Sequence, residues 1–434
     1  LAEIRPFQGV YYNKSLVKDL AAVICPPYDV ISPQIQQELY RRSDFNFVRV
    51  ECERELPQES DADNRYTRSA ATLEKWLKQG VLEVGRTPAV YLHDHHFTYQ
   101  GRRYRRRGLT CLVKLEEWSR MVVRPHEGTL SRPKSDRLNL LWALQANTSP
   151  ILALFEGGRI ASLLAAPSRG RPMIEIRAGS GEEHRLWAIT DAEAIGRISG
   201  DLAGQPLYIA DGHHRYESAL TYRREKRVSS RVSGEAPFDF VMMTLVDFAD
   251  AGLIILPAHR LVRGMSRATV DGLMGRLNGF FEVAKLPLHT DDVRQQLDSL
   301  LAVDAAEVGI VLYGLDREHL FVLRLRDADA VSPMMPYFHS ELYKGLDVSI
   351  VDHVIVEELL GLSHDTAGAF IAYSHDGADS INRVRDQEYQ MAFIVRPVRP
   401  EVVKAVADSR DRMPRKSTYF YPKAPAGLVF YRFG

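Results

Sequence analysis

One ten-residue stretch, Tyr208-Ile209-Ala210-Asp211-Gly212-His213-His214-Arg215-Tyr216-Glu217, constrains this chain more than any other. Pro206–Ala210 reads as a short buried strand, and the residues from His213 to about Lys226 read as a helix. Gly212 between them permits a tight backbone turn. A strand that runs through a glycine into a helix belongs to an α/β or mixed α+β architecture. The junction also carries chemistry. The first turn of a helix has orphan amide N–H groups and a partial positive charge. His213, His214 and Arg215 add cationic groups to that end, and an anion, most commonly phosphate, would relieve the repulsion. Asp211 can cap the helix by accepting amide hydrogens. The plainer alternative is a capped helix with neutral, solvated histidines.

The rest of the 434 residues alternates strand-like and helix-like patterns, without internal repeats or low-complexity segments. A loop-rich start surrounds Cys25-Pro26-Pro27-Tyr28-Asp29, where adjacent prolines forbid helix. A helix is expected near Pro33–Arg42, a strand near Phe45–Glu51 and a helix over 62–79. Ala89–Tyr99 and Tyr104–Lys114 read as a hairpin turning at Gln100-Gly101. A helix over 134–148 and strands at Ile151–Phe155, Val241–Val246 and Gly252–Pro257 follow. Three regions are expected: 1–265 with the Asp-Gly-His-His-Arg motif, 266–330 as a small α/β subdomain or insert, and 331–434 completing the site.

Composition narrows the function classes. Lys plus Arg equals Asp plus Glu at 56 each, so no general basic field invites nucleic acid. No apolar run approaches the ~20 residues of a membrane span. The start, LAEIRPFQGV, lacks the charged and apolar regions of a signal peptide. Cys25, Cys52 and Cys111 form neither a C-x-x-C pair nor a disulfide framework. A cytoplasmic protein that acts on small molecules, with self-association open, is the expectation.

Further polar segments could join the junction. Arg124-Pro125-His126-Glu127-Gly128-Thr129 is a loop, followed by Lys134, Asp136 and Arg137. Arginine and lysine suit phosphate oxygens, and Glu127 suits acid/base work or Mg2+. Lys416-Ser417-Thr418 with Lys423 is a basic, hydroxyl-rich segment, but no Walker glycines precede it. His259 and Arg260 end a strand that could reach a pocket rim. His93 and His95 share a strand face in His93-Asp94-His95-His96, yet no third metal ligand stands at a motif spacing, and an exposed polar face is the preferred reading. The run Arg102–Arg107 reads as a solvated or ion-paired face.

Six segments occur together in the order that resembles the bacterial and archaeal domain-of-unknown-function 1015 family. They are Pro26–Asp29, His126–Thr129, Asp211–Arg215, Leu256–Arg260, Leu346–Ser349 and Met413–Lys423. The Asp-Gly-His-His-Arg segment is also similar to the ParB/sulfiredoxin-like superfamily, which implies a core of that type with an additional α/β subdomain. His213 stands where sulfiredoxin has its reactive cysteine, which argues against that chemistry. Free-serine kinases share this form of the motif. The resemblance therefore implies a phosphotransferase acting on a small hydroxyl compound, free L-serine above all, with ATP, ADP or pyrophosphate as donor and Mg2+ as cofactor. In that reading Asp211, Glu127 and His213 are catalytic candidates. Gly212, His214, Arg215, Arg124, His126, Lys134, Arg137, His259, Arg260, Lys416, Ser417, Thr418 and Lys423 would hold substrate or phosphate, and Asp29 and Glu127 the metal. The alternatives are a ParB-like nucleotide-binding regulatory or DNA-associated module, and a phosphate-ester hydrolase.

Overall fold

The computed structural model describes residues 2–157, 160, 163–165, 167–179, 181–230, 232–302, 309–363 and 367–433. The chain divides into two compact units, one of residues 1–125, 129–254 and 422–434, the other of 126–128 and 255–421. Both mix helices and strands, as the alternating pattern requires. No helix among the described residues is long and apolar enough to cross a membrane.

The first unit is built on a sheet of nine strands among the described residues. In chain order these are β1 (Ile4–Arg5), β2 (Val90–Tyr99), β3 (Arg102–Lys114), β4 (Val123–Arg124), β5 (Ile151–Phe155), β6 (Ile174–Arg177), β7 (Glu183–Ile189), β8 (Leu207–Asp211) and β9 (Phe240–Asp247). Across the sheet they run β4-β8-β5-β9-β3-β2-β7-β6, with β1 beside β3. β4 and β8 are parallel, as are β5 and β9, and the other pairs are antiparallel. The β2–β3 hairpin closes as its dipeptide predicts: Gln100 (φ 48°) and Gly101 (φ 74°) both adopt the left-handed backbone that matches strand twist.

Both faces of this sheet are covered, so its central strands are apolar on both sides. One face packs Tyr91, Leu112, Leu186 and Met242 with Leu73, Trp76, Leu140 and Leu144 from helices α2 (Arg65–Lys78) and α3 (Ser131–Leu144), α1 being Pro33–Arg42. The other packs Leu92, Leu109, Cys111 and Val113 with Tyr216, Ala219 and Leu220 of helix α4 (His213–Ser230). The expected strand at Phe45–Glu51 is instead a loop leading into a short helix, Val48–Glu51. Short apolar runs do not separate helix from strand. The Asn46 side chain decides the matter here: it donates to the Ala22 and Ile24 carbonyls and accepts from the Val48 amide.

The second unit carries a six-stranded antiparallel sheet among its described residues. Its strands are β10 (His259–Val262), β11 (Phe281–Pro287), β12 (Gly309–Tyr313), β13 (His319–Leu325), β14 (Ile371–Ser374) and β15 (Met391–Val395), ordered β11-β13-β12-β15-β10-β14. The stretch 266–330 does not close on itself, because β12 pairs with β15 from the last hundred residues. A π-helical run, Ile350–Leu359, also belongs to this unit.

Candidate functional site

In the first unit β8 delivers Asp211 to the start of α4, an 18-residue helix. Gly212 makes the turn at φ +96°, a conformation that other residues rarely adopt. A Cβ there would also lie 2.9 Å from Arg215 Nε, so the guanidinium would have to move. Arg215 folds back along the turn. It donates to Asp211 Oδ2 at 2.6 Å, to Ser149 Oγ at 3.0 Å and to the Pro150 carbonyl at 2.6 Å. Its Nε is buried with no hydrogen-bond acceptor among the described residues.

Lys423 donates to Asp211 and lies 3.5 Å from Asp29 Oδ2, so one ammonium ties two carboxylates that are remote in sequence. Burial alone would raise the Asp211 pKa, but the Lys423 and Arg215 cations outweigh it and hold this carboxyl well below its usual range. Asp211 is therefore an ionised anchor. A carboxylate this well compensated is a poor proton acceptor, so this catalytic candidate is better suited to holding cations than to taking a proton. The side chain of Tyr28, next to Asp29, receives the Arg137 guanidinium 4.0 Å from its ring centre. Burial pushes the Tyr28 hydroxyl up to about 12.

The remaining first-unit candidates are tied down locally. His214 Nε2 accepts from the Leu130 amide at 2.9 Å, so it anchors the approach to α3. Lys134 pairs with Glu217 at 3.1 Å. Arg137 is buried and serves Asp136 and the Glu51 carbonyl. Arg124 binds the Met121 carbonyl and the Tyr208 hydroxyl. His213 is buried at the first position of α4. The arginine run divides as strand alternation dictates: Arg107 pairs with Asp94 at 2.6 Å, Arg103 with Glu183 at 3.0 Å, and Arg106 is buried.

The second unit gathers the other candidates. Glu127 Oε1 accepts from the Lys416 amide at 3.0 Å, and Glu127 bridges Met413 in parallel register. His126 is buried with Nε2 3.0 Å from Thr418 Oγ1. Lys416 holds a left-handed backbone at φ 58°. Ser417 is buried and donates to the Pro414 carbonyl, which turns its hydroxyl toward its own chain. Arg260 is fully buried and makes a two-point ion pair with Asp352, with both contacts at 2.8 Å. His259 accepts from the Val395 amide, and burial lowers its pKa to about 3. His259 and Arg260 thus lie in the interior of the second unit, which corrects their expected place at a pocket rim. The motif segments accordingly fall into two groups, one in each unit.

The model of the protein-of-unknown-function family DUF1015 matches residues 4–349. The chain belongs to this family. No curated protein sequence matches this DUF1015 chain. Among solved structures, a conserved hypothetical protein from Pyrococcus furiosus is 14% identical, with a TM-score of 0.35 over 73% of this chain and 93% of that one. A free serine kinase in complex with AMP is 12% identical, with a TM-score of 0.36 over 71% of this chain and 86% of that one. SbnI with a C-terminal truncation from Staphylococcus aureus is 10% identical, with a TM-score of 0.35 over 74% and 86%. Likeness at this level carries no argument about what the DUF1015 chain does.

Of the two residues expected to hold Mg2+, Asp29 lies in the first unit, where it shares the Lys423 ammonium with Asp211, and Glu127 lies in the second, where its carboxylate accepts from the Lys416 amide. Two residues lay outside the sequence-based candidates, Glu182 and His184. They meet His93 and His95 on the β2–β7 face, where all three histidines are buried. The expected exposed polar face at His93 and His95 is thereby corrected. No sequence spacing could have announced the grouping, since Glu182 lies 87 residues from His95.

Proposed function

We propose that this protein is a phosphotransferase that moves a phosphoryl group onto the hydroxyl of a small molecule, with free L-serine as the preferred acceptor. One observation carries the reading: Lys423 and Arg215 are fixed by Asp211 at the glycine-turned start of a long helix. Phosphoryl transfer asks chiefly for position and for positive charge about the moving oxygens. The helix start supplies the dipole end and the two cations supply directed charge. ATP, ADP or pyrophosphate is the donor class that such a cradle would hold.

Asp211 is spent on holding the cations, so the proton of the acceptor hydroxyl is assigned to Asp29. Its carboxylate lies on a short turn, is partly open to solvent and stands 3.5 Å from Lys423, farther than Asp211 does. The acceptor oxygen forms the new O–P bond, its proton passes to Asp29, and the bond from phosphorus to the leaving phosphate or nucleotide oxygen breaks. A cavity of about 400 Å³ beside Tyr28 also favours the reading. It is lined by Arg65, Arg132, Glu53 and Asp136, both signs of charge, as a zwitterionic amino acid requires.

The test is to incubate the full chain with L-serine, Mg2+ and each donor in turn, and to measure O-phosphoserine by mass spectrometry. Product that falls at least 100-fold in Asp29→Asn but not in Glu127→Gln supports the assignment. Folded protein that gives no product with any donor rejects it. Phosphate release without acceptor identifies a hydrolase, and nucleotide binding without turnover identifies a binding module.

A further inference from the structure

β2 and β7 run antiparallel with His95 opposite His184 and His93 opposite Leu186. Strand alternation puts His93 and His95 on one face, and the register brings His184 onto the same face. The His95 and His184 ring centres are 4.2 Å apart, and those of His93 and His184 are 5.3 Å apart. Glu182, immediately before β7, sends Oε2 to 2.7 Å from His95 Nε2 and 4.0 Å from His184 Nε2. One ligand atom from each of His95, Glu182 and His184 lies within 4.8 Å of the others. Ligand atoms around a tetrahedral metal, each about 2.0–2.2 Å from it, stand roughly 3.3 Å apart, so small side-chain shifts suffice.

We propose that His95, His184 and Glu182 form a divalent transition-metal site of the zinc class, oriented by His93, which staples β2 to β7. The site is separate from the phosphotransferase reading and does not depend on it. Two imidazoles and one carboxylate are borderline donors suited to Zn2+, Co2+ or Fe2+ rather than Mg2+ or Ca2+. His93 Nε2 lies 3.1 Å from His184 Nδ1. When His184 donates from Nδ1 to His93, its Nε2 lone pair turns toward Glu182, the orientation an outer-shell partner imposes on a metal-bound histidine. His184 Nε2 and Glu182 Oε2 then face each other across 4.0 Å, a gap that a bound cation would bridge.

Burial supports this chemistry. His93, His95 and His184 are 7%, 1% and 2% exposed, so an ion held there is shielded from bulk water. Arg106 is the opposing group, with Nη2 3.4 Å from His95 Nδ1. It is held by the Pro422 carbonyl at 2.7 Å, and its charge keeps the affinity below that of an all-acidic cage.

The full chain, freed of any histidine tag and stripped with chelator, is titrated with Co2+ and its visible d–d bands are followed. The expected result is one equivalent bound, displaced by Zn2+, with imidazole ligation by X-ray absorption. Glu182→Gln and His184→Gln should each weaken binding at least 10-fold, and His93→Phe should weaken it without changing the stoichiometry. Glu182 sits at a partly exposed loop, so Glu182→Gln keeps the test valid if the buried variants fail to fold. Absence of stoichiometric uptake by folded wild-type protein, or uptake unchanged in Glu182→Gln, overturns the proposal.

Discussion

Each unit sets an arginine against an aspartate, and the two pairs are finished to different degrees. Arg260 meets both oxygens of Asp352 and two backbone carbonyls, those of Ala258 and Lys416. One cation faces one anion, and the guanidinium is 0% exposed. Arg215 shares Asp211 with Lys423, leaves its Nε without an acceptor and stands at the head of a helix. The first arrangement is a closed structural clamp. The second leaves a guanidinium N–H without an acceptor at the head of a long helix, which is what the proposed anion site needs. The same residue pair thus sits in two settings, and the completeness of the guanidinium's hydrogen bonds tells them apart.

Breaking the closed clamp should have the largest effect. Arg260→Ala strands the Asp352 charge and is expected to cost about 3–5 kcal/mol in denaturant unfolding. A loss below about 1 kcal/mol would mean that the pair contributes little to the second unit. Lys423→Met should cost less stability, about 1–3 kcal/mol, but should weaken ADP or pyrophosphate binding by at least ~10-fold in calorimetry. Equal affinity in wild type and variant would erase the contrast between the two regions. Gly212→Ala forces a side chain into a left-handed turn and against Arg215, for about 1–2 kcal/mol and a parallel loss of anion affinity.

Acid titration sharpens the comparison further. The folded-state pKa of Asp211 is depressed below its ordinary 3.8, so its stabilisation is present above that value and is lost only as pH falls below it. His184 and His259 are depressed from 6.5 to about 3, so the unfolded chain takes up their protons first and stability falls as pH drops from about 6.5 toward 3. Glutamine at either histidine should flatten the upper window, and Asp211→Asn the lower, as followed by circular dichroism. The smallest effect belongs to Arg102→Gln on the exposed end of the arginine run, within about 0.5 kcal/mol.

Much of the local fold was readable in advance. The Gln100-Gly101 hairpin, the Pro33–Arg42 helix and the strand-glycine-helix junction at Gly212 all form where pattern and turn chemistry place them. The strand expected at Phe45–Glu51 does not form because Asn46 bonds across to Ala22 and Ile24, contacts that no local window contains. For the site, the residue types were legible but their duties were not. Nothing in its neighbours says that Lys134 is taken by Glu217, that His214 serves the Leu130 amide or that Ser417 turns to its own backbone.

The order of residues by itself determined where the backbone turns and which positions could supply charge, because dihedral preference and side-chain alternation act over a few neighbours. Only the tertiary structure decided which of those charges meet. Asp29 reaches Lys423, and Glu182 reaches His95, through strands and turns whose pairing is cooperative across the whole unit. Proton affinity and ligand preference depend on those meetings, since desolvation and nearby charge are properties of the folded surroundings and not of the sequence position.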